Sequence, residues 1–194
     1  KIKYLYIARD PRDVFMSLWN HYRGMKEEML MLINMLPGRV GDELPTPPSD
    51  VHVFWRNWIT RGTFAWENDG WPYWSHLSNV QSWWNFRHLP NIRLFHYSDM
   101  LADTEREVRR IAAFLEIDVP QHAWPGIIKA VSFAEMKRQG ELYAPGGGQF
   151  FKGGAQTFLH KGTNGRWREE LNNDELSLYD AACKYVDRKS TRLN

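Results

Sequence analysis

Residues 2–8 open the chain with Ile2, Tyr4, Leu5, Tyr6, Ile7 and Ala8, a nearly unbroken apolar run rich in β-branched and aromatic side chains. A run without polar alternation predicts a strand buried on both faces, as in a parallel sheet covered by helices. Asp10-Pro11 marks a helix start, with Asp as N-cap and Pro at the first helical position. Val14, Phe15, Leu18, Trp19 and Tyr22 then recur at helical spacing. The Met- and Leu-rich stretch 24–36 predicts another helical segment, broken by Pro37-Gly38, and 41–49 reads as a linker. Its methionines at 25, 29, 31 and 35 suit helix packing or an adaptable apolar pocket.

Phe54, Trp55 and Trp58 predict one helical face, and Asn68-Asp69-Gly70 a turn. A helix over 75–88 turns Leu77, Val80, Trp84 and Phe86 inward, and a second strand follows over 92–97. Beyond it, Val108, Ile111, Ala112 and Leu115 line one helical face while Glu105, Arg106, Arg109 and Arg110 alternate outside. A last helix over 174–186 carries Leu176, Leu178, Tyr179, Ala182 and Tyr185 inward. Buried strands alternating with amphipathic helices predict an α/β fold with a mostly parallel sheet flanked by helices.

Arg9 changes the picture from fold to chemistry. It places a cation at the carboxyl end of a buried strand, beside a helix N-terminus, where open α/β sheets bind ligands and free N–H groups favour anions. Ser17 lies about two turns into that helix, roughly 9 Å along its axis. The long Arg9 side chain spans such a gap, so a guanidinium fork and a hydroxyl can share one phosphate. The plainer alternative is an Arg9 paired with a carboxylate. A net charge of +2 gives no strong field toward nucleic acid or an acidic membrane. The single cysteine, Cys183, excludes an internal disulfide framework and suits a reducing, cytoplasmic compartment. No apolar run approaches a membrane span. The seven histidines show neither triad nor metal spacing, so no metal is expected. Lys1 stands inside the first strand without a Met, an unusual natural start, and the expectation is that the true N-terminus is missing.

Four ordered blocks resemble the PAPS-dependent sulfotransferases. Arg9-Asp10-Pro11-Arg12-Asp13-Val14, with Ser17 behind it, is similar to their R-[ND]-P-[KR]-D-V-x-x-S segment, whose Arg and Ser hold the cofactor's 3′-phosphate. Asp13 reads as a structural first-turn acid. Residues 90–120 resemble the strand-loop-helix whose Tyr, here Tyr97, contacts the adenine; Ser98 replaces the usual Glu. Val131 to Lys137 resembles [TV]-S-F-x-x-M-K, which implies that Ser132, Phe133 and Met136 enclose the adenine. Residues 158–167 resemble F-x-R-K-G-x-x-G-D-W, which implies that Lys161 and Gly162 close over the 3′-phosphate. His160 stands where Arg is usual, a weaker phosphate contact, and Arg166 where Asp is usual. Residues 140–165 are glycine-rich, suited to close backbone approach to phosphate or to a plain surface connection.

The resemblance implies a P-loop NTPase-like sulfotransferase fold, incomplete here, in one domain over 1–194. Residues 24–75 would form an acceptor-side cap, since Trp71 to Leu77 is similar to the G-S-W-x-x-H-V stretch, and 188–194 would be a disordered or foreign tail. It implies transfer of a sulfuryl group from PAPS, leaving 3′,5′-ADP, to a hydroxyl or amine of a small hydrophobic acceptor. The family's T-H-x-P and P-K-[ST]-G-T-[TS]-W motifs are not in these 194 residues, so the chain by itself is expected to be inactive. Arg87-His88-Leu89-Pro90 echoes the first of them but reads as a helix terminus. Two alternatives stand beside this: another P-loop-type transferase, such as a kinase, and a non-catalytic module binding an apolar partner.

Overall fold

The structure, a computed structural model, describes residues 2–38 and 40–192, with side chains through residue 187. Strand β1 (Tyr4–Ala8) leads into α1 (Pro11–Gly24), with Asp10 capping the first turn by accepting from the Arg12 N–H. Helix α2 (Glu27–Asn34) and an irregular stretch precede α3 (Val51–Thr60), which Asp50 caps through the His52 N–H. Next come α4 (His76–Asn85) and β2 (Ile92–His96). A series of helices follows: α5 (Tyr97–Ala102), α6 (Thr104–Leu115), α7 (Trp124–Ala130), α8 (Phe133–Arg138), α9 (Gly140–Tyr143), α10 (Ala155–Phe158) and α11 (Trp167–Glu170). The chain closes with α12 (Asn173–Arg192), which runs into the stretch expected to be a tail; residues 193 and 194 lie outside the described residues.

β1 and β2 pair in parallel, with Tyr4 opposite Ile92 and Ala8 opposite His96, as the two apolar runs predict. Among the described residues the sheet has only these two strands. That corrects the expectation of a first strand buried on both faces. Tyr4, Leu5 and Ile7 are exposed because a two-stranded sheet leaves one long edge of β1 without a neighbour. On one face Trp83 of α4 stacks on Tyr6 at 5.3 Å. On the other, Lys3 and Arg93 reach the Phe114 ring of α6.

The core lies between helices instead. Phe15, Met16, Trp19 and Tyr22 of α1 interlock with Phe54, Trp55, Trp58 and Ile59 of α3, closed by Leu77, Trp167, Leu171 and the inner face of α12. Phe15 meets Trp55 edge-on at 4.9 Å. The rings of Phe54 and Trp55 therefore anchor the core, and that of Trp58 belongs to it as well. Three other expected inward positions, Trp84, Phe86 and Tyr185, are exposed; α4 ends at Asn85 and turns Trp83 onto the strand, and Tyr185 lies on the outer side of α12. Met31 and Met35 are also exposed, so this part of the methionine stripe does not pack. Glu107, within the charged face of α6, is fully buried and paired with Arg106 and Arg110.

Candidate functional site

Arg9 leaves the end of β1 and turns away from the carboxylate beside it. The plainer pairing is made by Arg12, whose guanidinium folds back on Asp10 at 2.7 Å and lies 3.8 Å from the Trp167 ring. Burial disfavours charge on Asp10, but the hydrogen bonds and charge of Arg12 outweigh it and hold the carboxyl below its ordinary value. Arg9 instead donates to Asn164 Oδ1 at 3.1 Å and to the Thr163 carbonyl at 2.9 Å, and its cation sits 4.5 Å from the Tyr97 ring. It is thereby tied to the loop 159–166, more than 150 residues away in sequence.

That loop and the end of α10 before it are pinned to α1. His21 bonds the Phe158 carbonyl and stacks on its ring, Asn20 donates to the Thr157 carbonyl, and Asp13 accepts from the Gly165 N–H at 2.7 Å. Asp13, 4% exposed, is structural as the sequence suggests, but its partner is the loop and not only the helix N-terminus. Gly162 takes φ +64°, and a Cβ there would lie 2.7 Å from the Phe133 ring, so only glycine brings loop and ring this close.

Between α1 and the loop lies a cavity of about 180 Å³. Arg9, Ser17, Tyr97, Phe133, His160, Lys161 and Gly162 all line it, joined by Asp13, His21 and Arg166. Seven of the nine residues named from sequence thus share one cavity. Ser132 and Met136 do not line it. Ser132 caps α8, accepting from the Glu135 N–H while donating to the Lys129 carbonyl.

The cavity is cationic, with Arg9, Lys161 and Arg166 against the single carboxylate of Asp13. Burial pushes His160 below its ordinary pKa, and the charges of Arg166, Lys161 and Lys137 act the same way. Its Nδ1 is buried without a hydrogen-bond partner. An orphaned imidazole nitrogen beside two cations fits a phosphate, whose oxygens accept from all three.

A second concavity, about 580 Å³, opens on the far side of α1. It is lined by Val14, Leu18, Trp58, Trp66, Tyr73 and Trp74, with Glu67 and His76 at its wall. Trp66 and Trp74 are exposed, and Trp66 stacks on Phe64 at 4.9 Å. Burial keeps the pKa of His76 low, and its Nε2 is buried and unpartnered. Glu67 Oε2 is likewise buried and unpartnered. Sequence reading gave neither residue a role, although His76 stands at the histidine of a quoted motif. Arg166 stands out in the sequence only by its unusual identity.

A family model described as "Sulfotransferase domain" matches residues 1–192. The chain belongs to that family. Among similar proteins, Sulfotransferase 1A1 of Rattus norvegicus is 26% identical over 182 residues, covering 93% of this chain and 54% of its own length. Cytosolic sulfotransferase 12 of Arabidopsis thaliana is 29% identical, covering 96% of this chain and 49% of its own. The chain thus spans about half the length of the curated relatives it matches. Retinol dehydratase, solved with androsterone and the inactive cofactor PAP, superimposes with a TM-score of 0.68 at 26% identity, over 95% of this chain and 47% of that one. Mouse SULT7A1 complexed with PAP shares the fold with the same TM-score at 21% identity, over 98% and 59%. The sulfotransferase fold is therefore established for the two parallel strands and the helices around them.

Proposed function

We propose that this chain carries the nucleotide-binding half of a PAPS-dependent sulfotransferase. The observation that carries the reading is the convergence of Arg9, Ser17, Lys161 and the unpartnered His160 on one cationic cavity. In this reading Arg9, Ser17 and Lys161 hold the 3′-phosphate, and the Gly162 backbone and Asn164 keep the cations in place. Tyr97 and Phe133 offer ring faces to the adenine, a flat π surface. Ser132 and Met136 contribute by positioning Phe133 on α8. The PAP named in two solved relatives supports this choice of nucleotide.

PAPS, when bound, supplies the sulfuryl group and a good leaving phosphate. The chain's own residues bind and orient it, in a cytoplasmic setting. Transfer also needs a base and cations at the reacting group. The two family motifs that provide them are not in these 194 residues, so the chain alone binds nucleotide without transferring.

The acceptor is a small hydrophobic hydroxyl or amine compound seated in the aromatic concavity. Its rings supply apolar contact, while His76 Nε2 and Glu67 Oε2 are polar atoms free to orient one acceptor group. Androsterone and retinol, named with solved relatives, are compounds of that kind. No group of His, Cys, Asp and Glu among the described residues has metal-binding geometry, and no helix among them is long and apolar enough to cross a membrane.

Calorimetric titration tests the reading. The chain should bind 3′,5′-ADP more tightly than 5′-AMP, and Arg9→Ala or Lys161→Ala should remove roughly tenfold or more of that preference, the loss of a charge-assisted hydrogen bond. Equal affinity for the two nucleotides in the folded chain would overturn it.

A further inference from the structure

The cations around the nucleotide cavity differ in how far they are already committed. Arg9 is held by Asn164, Thr163 and the Tyr97 ring. Arg12 is bound to Asp10 and stacked on Trp167, Arg168 also lies over Trp167, and Lys137 donates to the His160 carbonyl. Arg166 and Lys161 alone among the cations lining the cavity have side chains with no ion pair, hydrogen bond or ring contact among the described residues. The carboxylate beside them, Asp13, gives one oxygen to the Gly165 N–H and makes no ion pair with Arg166. A half-buried guanidinium facing a small cavity without a counterion is costly unless an anion arrives.

We propose that Arg166 is the guanidinium that grips the nucleotide's 3′-phosphate opposite Arg9, with Lys161 between them. This rests on the reading of the cavity given above. Its fork of N–H donors matches two phosphate oxygens at once, which an ammonium does not. Three cations against one committed carboxylate complement a phosphomonoester dianion.

The assignment also accounts for His160. The charge of Arg166 opposes protonation of the neighbouring imidazole, as burial does. A second full cation at 160 would crowd the first. Neutral His160 needs only one partner for its buried Nδ1, and a phosphate oxygen or its bound water provides it. Positions 160 and 166 thus work as a pair, in which the charge resides at 166.

The test is calorimetry on the full chain with 3′,5′-ADP and 5′-AMP. Arg166→Ala should lose roughly tenfold or more in 3′,5′-ADP affinity while 5′-AMP affinity changes less than about twofold. The double variant His160→Arg/Arg166→Ala should recover most of the loss, since the charge returns to the same cavity. If Arg166→Ala does not fold, Arg166→Gln, which retains the stem and an N–H donor, is read in its place. Wild-type 3′,5′-ADP affinity in the Arg166 variant, with loss in Arg9→Ala and Lys161→Ala, overturns the role of Arg166 alone. A wild-type chain that does not distinguish the two nucleotides overturns the reading of the cavity and this inference with it.

Discussion

Replacing Gly162 by Ala is a sharp test of how the phosphate loop is held. Two costs arise there. A non-glycine residue at φ +64° pays about 1–2 kcal/mol for the left-handed region. The new Cβ also lies 2.7–2.8 Å from three atoms of the Phe133 ring, closer than carbon contacts allow, and that ring is carried on the first residue of α8. Forcing such an overpacked contact costs a further amount of about 1–3 kcal/mol. Gly147 separates the two contributions: it has φ 63° and ψ 18°, and a Cβ there meets only the Glu141 carbonyl at an ordinary 3.7 Å. Urea denaturation should therefore place Gly147→Ala about 1–2 kcal/mol below wild type and Gly162→Ala about 2–5 kcal/mol below, with unchanged slope. Because Phe133 lines the cavity, Gly162→Ala should also weaken 3′,5′-ADP binding where Gly147→Ala does not. Equal destabilisation by the two variants would refute the argument that the loop closes against Phe133.

Phe15, fully buried between α1 and α3, should cost about 3–5 kcal/mol as Phe15→Ala, whereas Trp84→Ala, half exposed, should stay within about 0.5 kcal/mol in the same denaturation assay. Asp13→Ala removes the carboxylate that anchors Gly165 and should cost about 1.5–3 kcal/mol, with faster hydrogen exchange at the Gly165 amide; unchanged exchange would count against the anchor. Burial depresses the pKa of His21 and of His76 in the folded chain, so the unfolded chain takes up protons first as pH falls. The stability these residues contribute is complete above about 6.5 and is lost below it. The urea midpoint should drop between pH 7.5 and 5.5, less so in His76→Gln, and a flat midpoint would contradict this.

The local signals in the sequence carried further than the global ones. Asp10-Pro11 marks the start of α1, and the spacing of 54, 55 and 58 marks the buried face of α3, because capping and helical periodicity are short-range physics. The burial of β1 was not legible, since apolar strand residues specify only that a face prefers cover, and Tyr4 on one face and Leu5 and Ile7 on the other are exposed in a sheet of two strands among the described residues. Arg9 and Arg12 are three residues apart beside one carboxylate, and only the folded register decides that Arg12 takes it. Ser132 did carry a readable signal. With Glu135 three residues on, it forms an S-x-x-E start, and the structure uses its hydroxyl as that cap. Arg166 was visible as a departure from the family pattern, but its place beside Lys161 depends on the loop returning to α1 through Asp13 and His21.

A crystal structure of the chain with 3′,5′-ADP tests the central claim most directly. The account predicts the 3′-phosphate in the cavity between α1 and the 159–166 loop, within hydrogen-bond distance of Arg9, Ser17 and Lys161 and beside His160 Nδ1. A nucleotide lying instead in a third concavity, of about 710 Å³, which Ala8 and His96 at the strand ends line together with Arg110, Arg168 and Tyr179, would contradict it.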